Sequence, residues 1–594
     1  MYILGVSCYF HDAAAVLLKD GVLVAAAEEE RFSRIKHDYG FPAKAIKFCM
    51  DQEGITGADL DYVVFFEKPF RKLDRILMMA LATYPKSYKV FRESMITWMA
   101  DKLWVSAKLQ TEIGIPKDKV LFSEHHLSHA ASAFLCSPFE EAAILTVDGV
   151  GEWVTTTYGV GRGTEVKLQK QIEFPHSLGL LYSAFTAFLG FEVNEGEYKV
   201  MGMAPYGVPR YVDKVWKMVQ QNQDGSFTLD MDYFCFHHST YKTYGDKFEA
   251  LFGAPRPPKS LFFTEATGFP KYFGTPPGNF QELSKQNQHY ADIAASIQKV
   301  TEEILLTMAK NLRKTTGLNK LCMAGGVALN SVANTRILNE AGFDELYIQP
   351  AAGDGGGALG AALWAYNTVL GKPRNFTMQH AYWGRSNSDA ETSDFLTKNN
   401  IPHSRFDNED ELLDRVVGQL IDGQVIGWSQ GRFEWGPRAL GNRSILADPR
   451  NPDMKEIVNS KIKFREPYRP FAPSVLAESA EKYFDFPNAA SHCPARYMQY
   501  VVPVREKEKE TLPAITHVDG TGRLQTVFKS ESPRYYKLIE RFGQATGVPV
   551  ILNTSFNLKG EPIVNTPANA FNTFSKSEMD ALVLGNFIID KQIG

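Results

Sequence analysis

The chain of 594 residues is long enough for two to four compact domains, at roughly 100–200 residues each. Its 64 Lys and Arg residues face 68 Asp and Glu residues, and the net charge of −4 lacks the positive excess that binding to a nucleic-acid backbone needs. Apolar residues make up 44% of the chain, yet no apolar stretch approaches the roughly 20 residues of a membrane span. The composition therefore indicates a folded cytoplasmic protein that has neither nucleic acid nor a membrane as a partner.

The beginning of the chain predicts three short buried strands, at residues 2–8, 14–18 and 22–27. Asp20-Gly21 lies between the second and third strands and is a strong hairpin signal. A polar loop between the first two strands carries His11. Because open sheets bind their ligands at the ends of strands, His11 is a candidate for a ligand pocket.

A similar unit recurs later in the chain. Residues 142–147 predict another buried strand, which ends at Asp148 in a glycine-rich turn, and residues 153–160 predict the strand that follows. Two such units favour an α/β fold whose N-terminal part is duplicated into two lobes facing one cleft. Residues 205–285, rich in aromatic residues, Pro and Gly, predict an insertion over that cleft. The later elements are a helix at 285–316, strands at 320–323 and 346–350, and a helix at 358–369.

Two glycine-rich turns, at residues 324–330 and 353–357, stand where predicted strands lead into helices. Such turns present several backbone N–H groups and often hold phosphates, although tight packing explains a single turn about as often. A P-loop is excluded because the pattern GxxxxGK[ST] is absent. The candidate phosphate-binding residues are Gly325, Gly326, Asn330, Gly355 and Gly356.

Residues 124–134 favour a helix that places His125 and His129 on one face, four positions apart. Two imidazoles in this arrangement can bind one metal ion, and the alternative is a polar helix face or buried structural histidines. Asp148 and Asp354 each follow a predicted strand and are either turn-capping residues or further ligands. Two histidines with carboxylate oxygens suit Fe(II), Mn(II) or Zn(II).

The main domain boundary is predicted near residues 371–390, where polar residues follow a helix. Beyond it, strands are predicted at 425–428 and 548–552, with a polar hairpin at 517–526. Cations on Gly/Pro-rich turns suit bidentate phosphate binding, with surface salt bridges as the alternative. The candidates in this part are Arg432, Arg438, Arg443, Lys463, Arg465, Arg469, Asn553 and Ser555.

One charged run near the N-terminus, at residues 28–37, reads by default as the solvated start of a helix. It directly follows the hairpin whose first loop holds His11. Lys36 or His37 is therefore a candidate to face the same pocket as His11.

Taken together, these motifs closely resemble the NodU/CmcH family of O-carbamoyltransferases from one end of the chain to the other. The resemblance implies an actin/sugar-kinase-like (ASKHA) N-terminal domain at 1–375 and an α+β, YrdC-like C-terminal domain at 390–594. The stretches that carry it are residues 10–15, 28–37, 125–134, 148–151, 195–202, 325–330, 353–357, 436–444, 465–470 and 553–557.

The resemblance also implies a division of roles. The C-terminal domain forms carbamoyl-adenylate from carbamoyl phosphate and ATP, with Mg²⁺ accompanying the ATP. The N-terminal domain passes the carbamoyl group to a hydroxyl of a small-molecule acceptor, such as a natural product or a sugar, and a homodimer is left open. By this resemblance the iron ligands are His125, His129, Asp148 and Asp354, and the general base and its partner are His11 and Lys36. Glu197 and Lys199 join the cofactor-binding candidates, and Arg465, Arg469 and Ser555 hold the carbamoyl phosphate or its product.

Three other functions compete with this interpretation. An actin-fold small-molecule kinase or ATPase needs neither a histidine-rich metal site nor residues 420–594. A non-catalytic scaffold would not need catalytic side chains, yet each motif position still carries a polar residue of a type suited to catalysis or ligand binding. A metalloprotease of the HExxH type lacks its glutamate, because His126 stands at that position.

Overall fold

The computed structural model describes residues 1–270, 274–466 and 468–591, so Pro467 of the 465–470 motif lies outside the described residues. The chain forms two compact units. Unit 1 comprises Met1–Val24 and Tyr39–Thr377, and unit 2 comprises Ala25–Asp38 and the chain from Met378 onward. Residue 377 falls inside the predicted 371–390 boundary. Residues 25–38, which the sequence-based division left in the N-terminal domain, belong to unit 2.

The N-terminal part of the chain forms two five-stranded sheets with the same strand order. In the first sheet the order is β3-β2-β1-β4-β5. Strand β1 pairs antiparallel with β2 and parallel with β4, which in turn pairs parallel with β5. The strands are β1 (Tyr2–Ser7), β2 (Ala14–Lys19), β3 (Val22–Glu28), β4 (Tyr62–Phe65) and β5 (Val120–Phe122).

The second sheet has the order β12-β11-β6-β7-β8. Strand β6 pairs antiparallel with β7 and parallel with β11, as β1 does with β2 and β4. Both sheets thus place their strands in the order third, second, first, fourth, fifth, which confirms the predicted duplication and agrees with the actin/sugar-kinase-like class. The strands are β6 (Glu141–Val147), β7 (Val154–Arg162), β8 (Glu165–Glu173), β11 (Lys320–Ala324) and β12 (Glu345–Tyr347), and a separate hairpin joins β9 (Val219–Gln221) and β10 (Phe227–Leu229).

Helices alternate with the strands along the chain. The predicted helix at 285–316 spans Phe280–Thr316, and the one predicted at 358–369 already begins at Asp354. No helix among the described residues is both long and apolar enough to cross a bilayer. The helices are α1 (Glu30–Ser33), α2 (Ala43–Glu53), α3 (Pro69–Ala82), α4 (Tyr88–Ala100), α5 (Val105–Ile113), α6 (His125–Phe134), α7 (Leu178–Phe188), α8 (Glu197–Met203), α9 (Val212–Trp216), α10 (Asp246–Phe252), α11 (Phe280–Thr316), α12 (Ser331–Glu340), α13 (Asp354–Leu363), α14 (Asp389–Lys398), α15 (Glu409–Ile421), α16 (Met454–Ile457), α17 (Ala480–Tyr483), α18 (Pro533–Thr546) and α19 (Pro567–Ser575).

Close packing of β1, α13 and α6 sets the position of the histidine helix. A Cβ atom on Gly5 would lie 1.9 Å from the carbonyl oxygen of Ala358, and one on Gly360 would lie 1.8 Å from that of Ser128. Neither contact is sterically possible, so glycine is required where α13 meets β1 and where α13 meets α6. The N-terminus of α13, which carries Asp354, is thereby held beside α6.

Unit 2 is built on a nine-stranded mixed sheet in the order β13-β21-β20-β14-β15-β19-β16-β18-β17. Helices α15 and α18 pack on the sheet through a core that includes Leu412, Trp428 and Phe542. Its strands are β13 (Ser404–Arg405), β14 (Ile426–Ser429), β15 (Arg443–Ala447), β16 (Ala472–Leu476), β17 (Tyr500–Pro503), β18 (Thr521–Val527), β19 (Val550–Ser555), β20 (Ala581–Leu584) and β21 (Phe587–Asp590).

The segment Ala25–Asp38 is tied into unit 2 by several hydrogen bonds. The carboxylate of Glu28 accepts a hydrogen bond of 2.7 Å from the backbone N–H of Gly436, and Arg31 donates one of 2.7 Å to the carbonyl of the same glycine. Arg34 donates to the carbonyls of Pro562 and Ile563. Residues 28–31 are all less than 9% exposed, so the prediction of a solvated helix start was wrong.

Candidate functional site

Two of the three histidines of α6, His125 and His129, face each other inside unit 1. As predicted, they stand one helical turn apart, and their Nε2 atoms are 3.1 Å from each other. Both side chains are almost fully buried. The i,i+4 spacing of the sequence therefore places two imidazole nitrogens at a common point.

Two carboxylates complete this cluster. Asp148 directly follows β6, and its Oδ2 lies 3.3 Å from His125 Nε2 and 3.8 Å from His129 Nε2. Asp354 is the first residue of α13, and its Oδ1 lies 3.6 Å from His125 Nε2 and 3.4 Å from His129 Nε2. One ligand atom from each of the four buried residues lies within 4.8 Å of every other. The structure thus brings together all four predicted metal ligands. Their spacing along some 200 residues of sequence did not by itself show that they lie close to one another.

The donor set fits a divalent metal ion. With metal–ligand distances of about 2.0–2.2 Å, neighbouring ligand atoms in a tetrahedral or octahedral shell stand roughly 2.8–3.6 Å apart. The nitrogen–nitrogen and nitrogen–oxygen distances in the cluster fall in or near that range. Two imidazoles and two carboxylates are donors that Fe(II), Mn(II) and Zn(II) accept. Asp354 Oδ2 is buried without a hydrogen-bond partner among the described residues, which a ligand role explains.

A second layer of polar groups contacts two of the four ligands, His125 and Asp148. The Nδ1 of His125 lies 3.5 Å from the carboxylate of Glu67, which accepts a hydrogen bond of 2.8 Å from Lys72. The backbone N–H of Gly326 donates to Asp148 Oδ1 at 2.7 Å. Sequence reasoning missed Glu67, although it ends the apolar run of β4 much as Asp148 ends that of β6.

The protonation of the cluster follows from its many carboxylates. Burial alone would lower the pKa of His125, but Asp354, Asp148 and Glu67 raise it to about 10. For Glu67, burial would raise the pKa, but Lys72 and His125 bring it down to about 2. Without a metal, protons on the imidazoles therefore balance the buried carboxylates.

His11 lies in the electrostatic field of the same cluster. It stands in the loop between β1 and β2, with Nδ1 2.9 Å from Asp12 Oδ2. Burial would lower its pKa, but Asp12, and then Asp354 and Asp148, raise it to about 9. His11 is therefore coupled electrostatically to two of the candidate ligands, and its place at a ligand pocket stays a prediction.

The glycine-rich turns serve the packing of unit 1. Gly325 has a φ of +96°, and a Cβ there would lie 2.2 Å from the carbonyl oxygen of Val147. A Cβ on Gly356 would lie 2.0 Å from the carbonyl oxygen of Ala351. These contacts account for both glycines without a phosphate. Nucleotide binding by the set that includes Gly355 stays a prediction.

Three other residues of the cofactor-binding set also have structural partners. Asn330 caps α12 by accepting a hydrogen bond from the N–H of Ala333. Glu197 accepts a hydrogen bond of 2.7 Å from Ser183, and the ammonium of Lys199 lies 5.8 Å from the ring centroid of Phe191. Any role of these three side chains toward a nucleotide likewise stays a prediction.

A second candidate site lies in unit 2, around Lys463. Its ammonium group donates to the carbonyl and hydroxyl oxygens of Ser555 and to the carbonyl and side-chain oxygens of Asn557, at 2.8–3.3 Å. Burial lowers the pKa of Lys463 well below its usual range, and Arg465 and Arg469 lower it further. Lys463, Arg465, Arg469 and Ser555 are thus brought together as predicted for an anion site, which we name the basic site.

Other cations add to the basic site. Lys36 is among the charges that lower the pKa of Lys463, and its ammonium group lies 3.1 Å from the carboxylate of Glu30. Lys36 is therefore coupled to the basic site of unit 2, and its predicted place beside His11 stays a prediction. Lys455 and Arg523 contribute as well, since both are coupled electrostatically to Arg465. Neither stands in a recognisable motif, so sequence reasoning missed them.

Other candidates from the same part of the sequence have structural partners. The fully buried guanidinium of Arg443 donates to backbone carbonyls that include those of Gln430 and Gly431. Arg432 donates to the carbonyls of Trp383 and Gly384. Asn553 bonds Ser474 and Gln525 inside the sheet, and Arg438 is half-buried. For Arg432, Arg443 and Asn553, these bonds describe a role in holding the fold, and ligand binding by them stays a prediction.

Comparison with known proteins assigns both parts of the chain. The family models for the carbamoyltransferase N-terminus and the carbamoyltransferase C-terminus match residues 2–363 and 417–591. An uncharacterized protein of Synechocystis is 44% identical, with 99% of this chain and 97% of the relative covered. The nodulation protein NolNO of Sinorhizobium fredii is 38% identical over 98% of this chain and 79% of its own length.

Two further similarities are more limited in extent. The 3'-hydroxymethylcephem-O-carbamoyltransferase of Amycolatopsis lactamdurans is 36% identical over 46% of this chain and 49% of its own. Among solved structures, HypF of T. kodakarensis superposes on 62% of this chain and 48% of its own, with a TM-score of 0.31 and 13% identity. The two family models together span both units, and the chain therefore belongs to the carbamoyltransferase family and is a carbamoyltransferase.

Proposed function

We propose that the chain catalyses ATP-dependent O-carbamoyl transfer in two half-reactions. Unit 2 forms carbamoyl-adenylate from carbamoyl phosphate and ATP, and unit 1 transfers the carbamoyl group to a hydroxyl of a small-molecule acceptor. The observation that supports this most directly is the basic site, where the buried Lys463 is coupled electrostatically to the half-buried Arg465 and Arg469. Buried cations that repel one another are stabilised by a bound anion, and both substrates of the first half-reaction are polyanions.

The basic site can serve the first half-reaction by holding phosphate groups. For the atoms to balance, carbamoyl phosphate releases its phosphate to water, and the carbamate oxygen then attacks the α-phosphorus of Mg²⁺-bound ATP and displaces pyrophosphate. Arg465 and Arg469 are suited to the oxygens of the phosphate that leaves, because guanidinium groups bind such oxygens bidentately. The Ser555 hydroxyl accepts from Lys463 Nζ at 3.3 Å and donates to Asn557 Oδ1 at 2.7 Å, so it would donate to the ligand only by rotating away from Asn557.

The second half-reaction needs a base close to the acceptor hydroxyl. A divalent cation held by His125, His129, Asp148 and Asp354 would act as a Lewis acid toward the adenylate phosphate and, by neutralising the two carboxylates, lower the pKa of His11 from about 9 toward the range of a general base. Asp12 accepts from Nδ1 of His11, which orients the opposite ring nitrogen for proton transfer. Burial of the cluster limits the access of water, which would otherwise hydrolyse the adenylate.

The test is release of pyrophosphate from ATP in the presence of carbamoyl phosphate, without any acceptor. The wild-type protein should release pyrophosphate only when both substrates are present, and Arg465→Ala should lose at least about tenfold, the usual scale for a hydrogen bond to a charged group. Arg405→Ala is the matched control, because Arg405 pairs with Asp407 at the surface of the same unit. ATP hydrolysis that ignores carbamoyl phosphate would instead support a kinase or ATPase of this fold.

A further inference from the structure

Two neighbouring helices of unit 1, α3 and α4, present large apolar side chains to solvent. On α3 these are Phe70, Met78 and Leu81, and on α4 they are Tyr88, Ile96 and Met99, all between 52% and 74% exposed. The spacing is the same on both helices, and at 3.6 residues per turn each set falls within an arc of about 80°. We name this surface the α3–α4 apolar face. Eight of the twenty exposed large apolar residues among the described residues fall between 70 and 104.

Helix α3 buries cationic side chains and exposes apolar ones, the reverse of a typical surface helix of a soluble protein. Its buried positions include Lys72 and Arg75, which point inward to the carboxylate of Glu67 and the carbonyl oxygen of Gly151, at 2.8 and 2.9 Å. Phe70, Met78 and Leu81 point outward, and the other large apolar residues of the helix are only partly buried. A helix that buries cations and exposes Phe, Met and Leu gains nothing from this arrangement in water alone, so the face is built for contact with an apolar phase.

The charge around the α3–α4 apolar face is positive and favours an anionic partner. Residues 69–104 contain seven Lys and Arg against three Asp and Glu, although the whole chain carries a net charge of −4. Among the exposed cations are Lys86, Lys89 and Arg92. A second copy of the chain would bring the same positive charges together across a symmetric contact, which opposes pairing through this face. A partner that is apolar within and anionic at its surface matches both properties.

We propose that the α3–α4 apolar face docks the protein peripherally on an anionic lipid surface. Helices with bulky apolar residues on one side and Lys and Arg beside them lie in the interface plane of such bilayers. The sequence excluded a membrane partner only because it lacks a spanning segment, and interfacial binding needs none. The docking helix also touches the loop that carries His11, since Lys72 Nζ lies 3.8 Å from the ring centroid of Phe10.

The test is flotation of the full-length protein with vesicles of phosphatidylcholine alone or mixed with phosphatidylglycerol. The wild-type protein should float only with the mixed vesicles, and less at high salt because screening weakens the charge attraction. Leu81→Glu/Met99→Glu should reduce the partition coefficient by about tenfold or more, because two apolar anchors are lost. Lys86→Gln/Arg92→Gln should reduce it roughly fivefold for each charge. Val208→Glu, at a residue that is 52% exposed elsewhere in unit 1, should have no effect.

Three outcomes would overturn the proposal. The wild-type protein fails to float with the mixed vesicles, or Leu81→Glu/Met99→Glu floats as well as Val208→Glu. The third is a concentration-dependent dimer in light scattering that Leu81→Glu/Met99→Glu abolishes, because the face would then be an interface between copies. All these side chains are exposed, so unchanged melting temperatures should show that the variants are folded. The readout is binding, so it is independent of the two half-reactions.

Discussion

Glu67 tests the metal centre without removing a ligand. Its carboxylate stands 3.5 Å from His125 Nδ1, on the side of the ring opposite Nε2. A carboxylate there favours the tautomer with the proton on Nδ1, which leaves the lone pair of Nε2 directed at Asp148, Asp354 and His129. Glu67→Gln keeps the shape of the side chain and removes the charge that fixes this tautomer.

The size of the effect follows from two contacts of Glu67. Loss of an outer partner of a ligating histidine typically costs 10–100-fold in metal affinity, or about 1.4–2.7 kcal/mol. Lys72 loses its buried partner at the same time, and breaking a buried ion pair costs about 3–5 kcal/mol of stability. The Lys72 ammonium keeps its contact with Phe10, so the loss of stability should fall at the lower end of that range.

Metal affinity and stability are measured separately. Competition with a chelator gives the affinity for Fe(II) or Mn(II), and thermal melting of the metal-free protein gives the stability. Glu124→Gln is the matched control, because Glu124 precedes the same helix but pairs with Lys68 and Arg71 at the surface. An unchanged affinity in folded Glu67→Gln would refute the reasoning, and so would an equal loss in Glu124→Gln. Glu67→Asp, which retains the charge, provides a second variant if Glu67→Gln does not fold.

We expect substitutions of His11 and Lys36 to affect different half-reactions. His11→Ala should release pyrophosphate normally but lose about 10²–10⁴-fold in transfer to the acceptor, the scale for a general base; equal loss in both assays would show that His11 only supports the fold. Lys36→Ala should weaken pyrophosphate release about tenfold, because Lys36 is coupled to Lys463 in unit 2. Loss confined to transfer would contradict this assignment and return Lys36 to the pocket of His11.

Much of the fold could be predicted because local patterns and global packing agree. Buried strands bounded by glycine turns gave both lobes of unit 1, and the spacing of apolar residues gave the long helix Phe280–Thr316. Residues 25–38 were misassigned because their burial depends on partners such as Gly436 and Ile563, more than 400 positions away. No local pattern distinguishes a charged run that is solvated from one that pairs with distant backbone groups.

In the candidate site, too, local geometry could be predicted from the sequence and long-range packing could not. His125 and His129 could be predicted because a helix fixes the distance between i and i+4. The nearness of Asp148 and Asp354 depends on β6 and α13 meeting in space, which the residues suggested only through their positions at strand ends. Arg443 shows a limit of the sequence, because an arginine on a glycine-rich turn has the same local pattern whether it binds phosphate or holds backbone carbonyls.

The basic site should make the protein's stability depend on anions and on pH. Burial, Arg465 and Arg469 hold the pKa of Lys463 below its ordinary value of 10.5, so the unfolded chain binds a proton more tightly than the folded one. The free energy of unfolding therefore rises with pH between the folded and unfolded pKa values of Lys463. Below both values, the full cost of keeping the buried ammonium protonated lowers the stability.

A bound phosphate offsets this penalty, because its charge favours the protonated ammonium. Inorganic phosphate should raise the melting temperature at neutral pH, because at a hundredfold excess over Kd it adds about 2.7 kcal/mol to the free energy of unfolding. The gain should shrink as pH approaches 10.5. Chloride at the same ionic strength is the control for screening. Arg465→Leu should respond less to phosphate, since one of the repelling cations is gone. Equal melting temperatures in phosphate and chloride would mean that the cations around Lys463 are already neutralised by groups such as Glu466 and Glu561, and the assignment of an anion site there would fail.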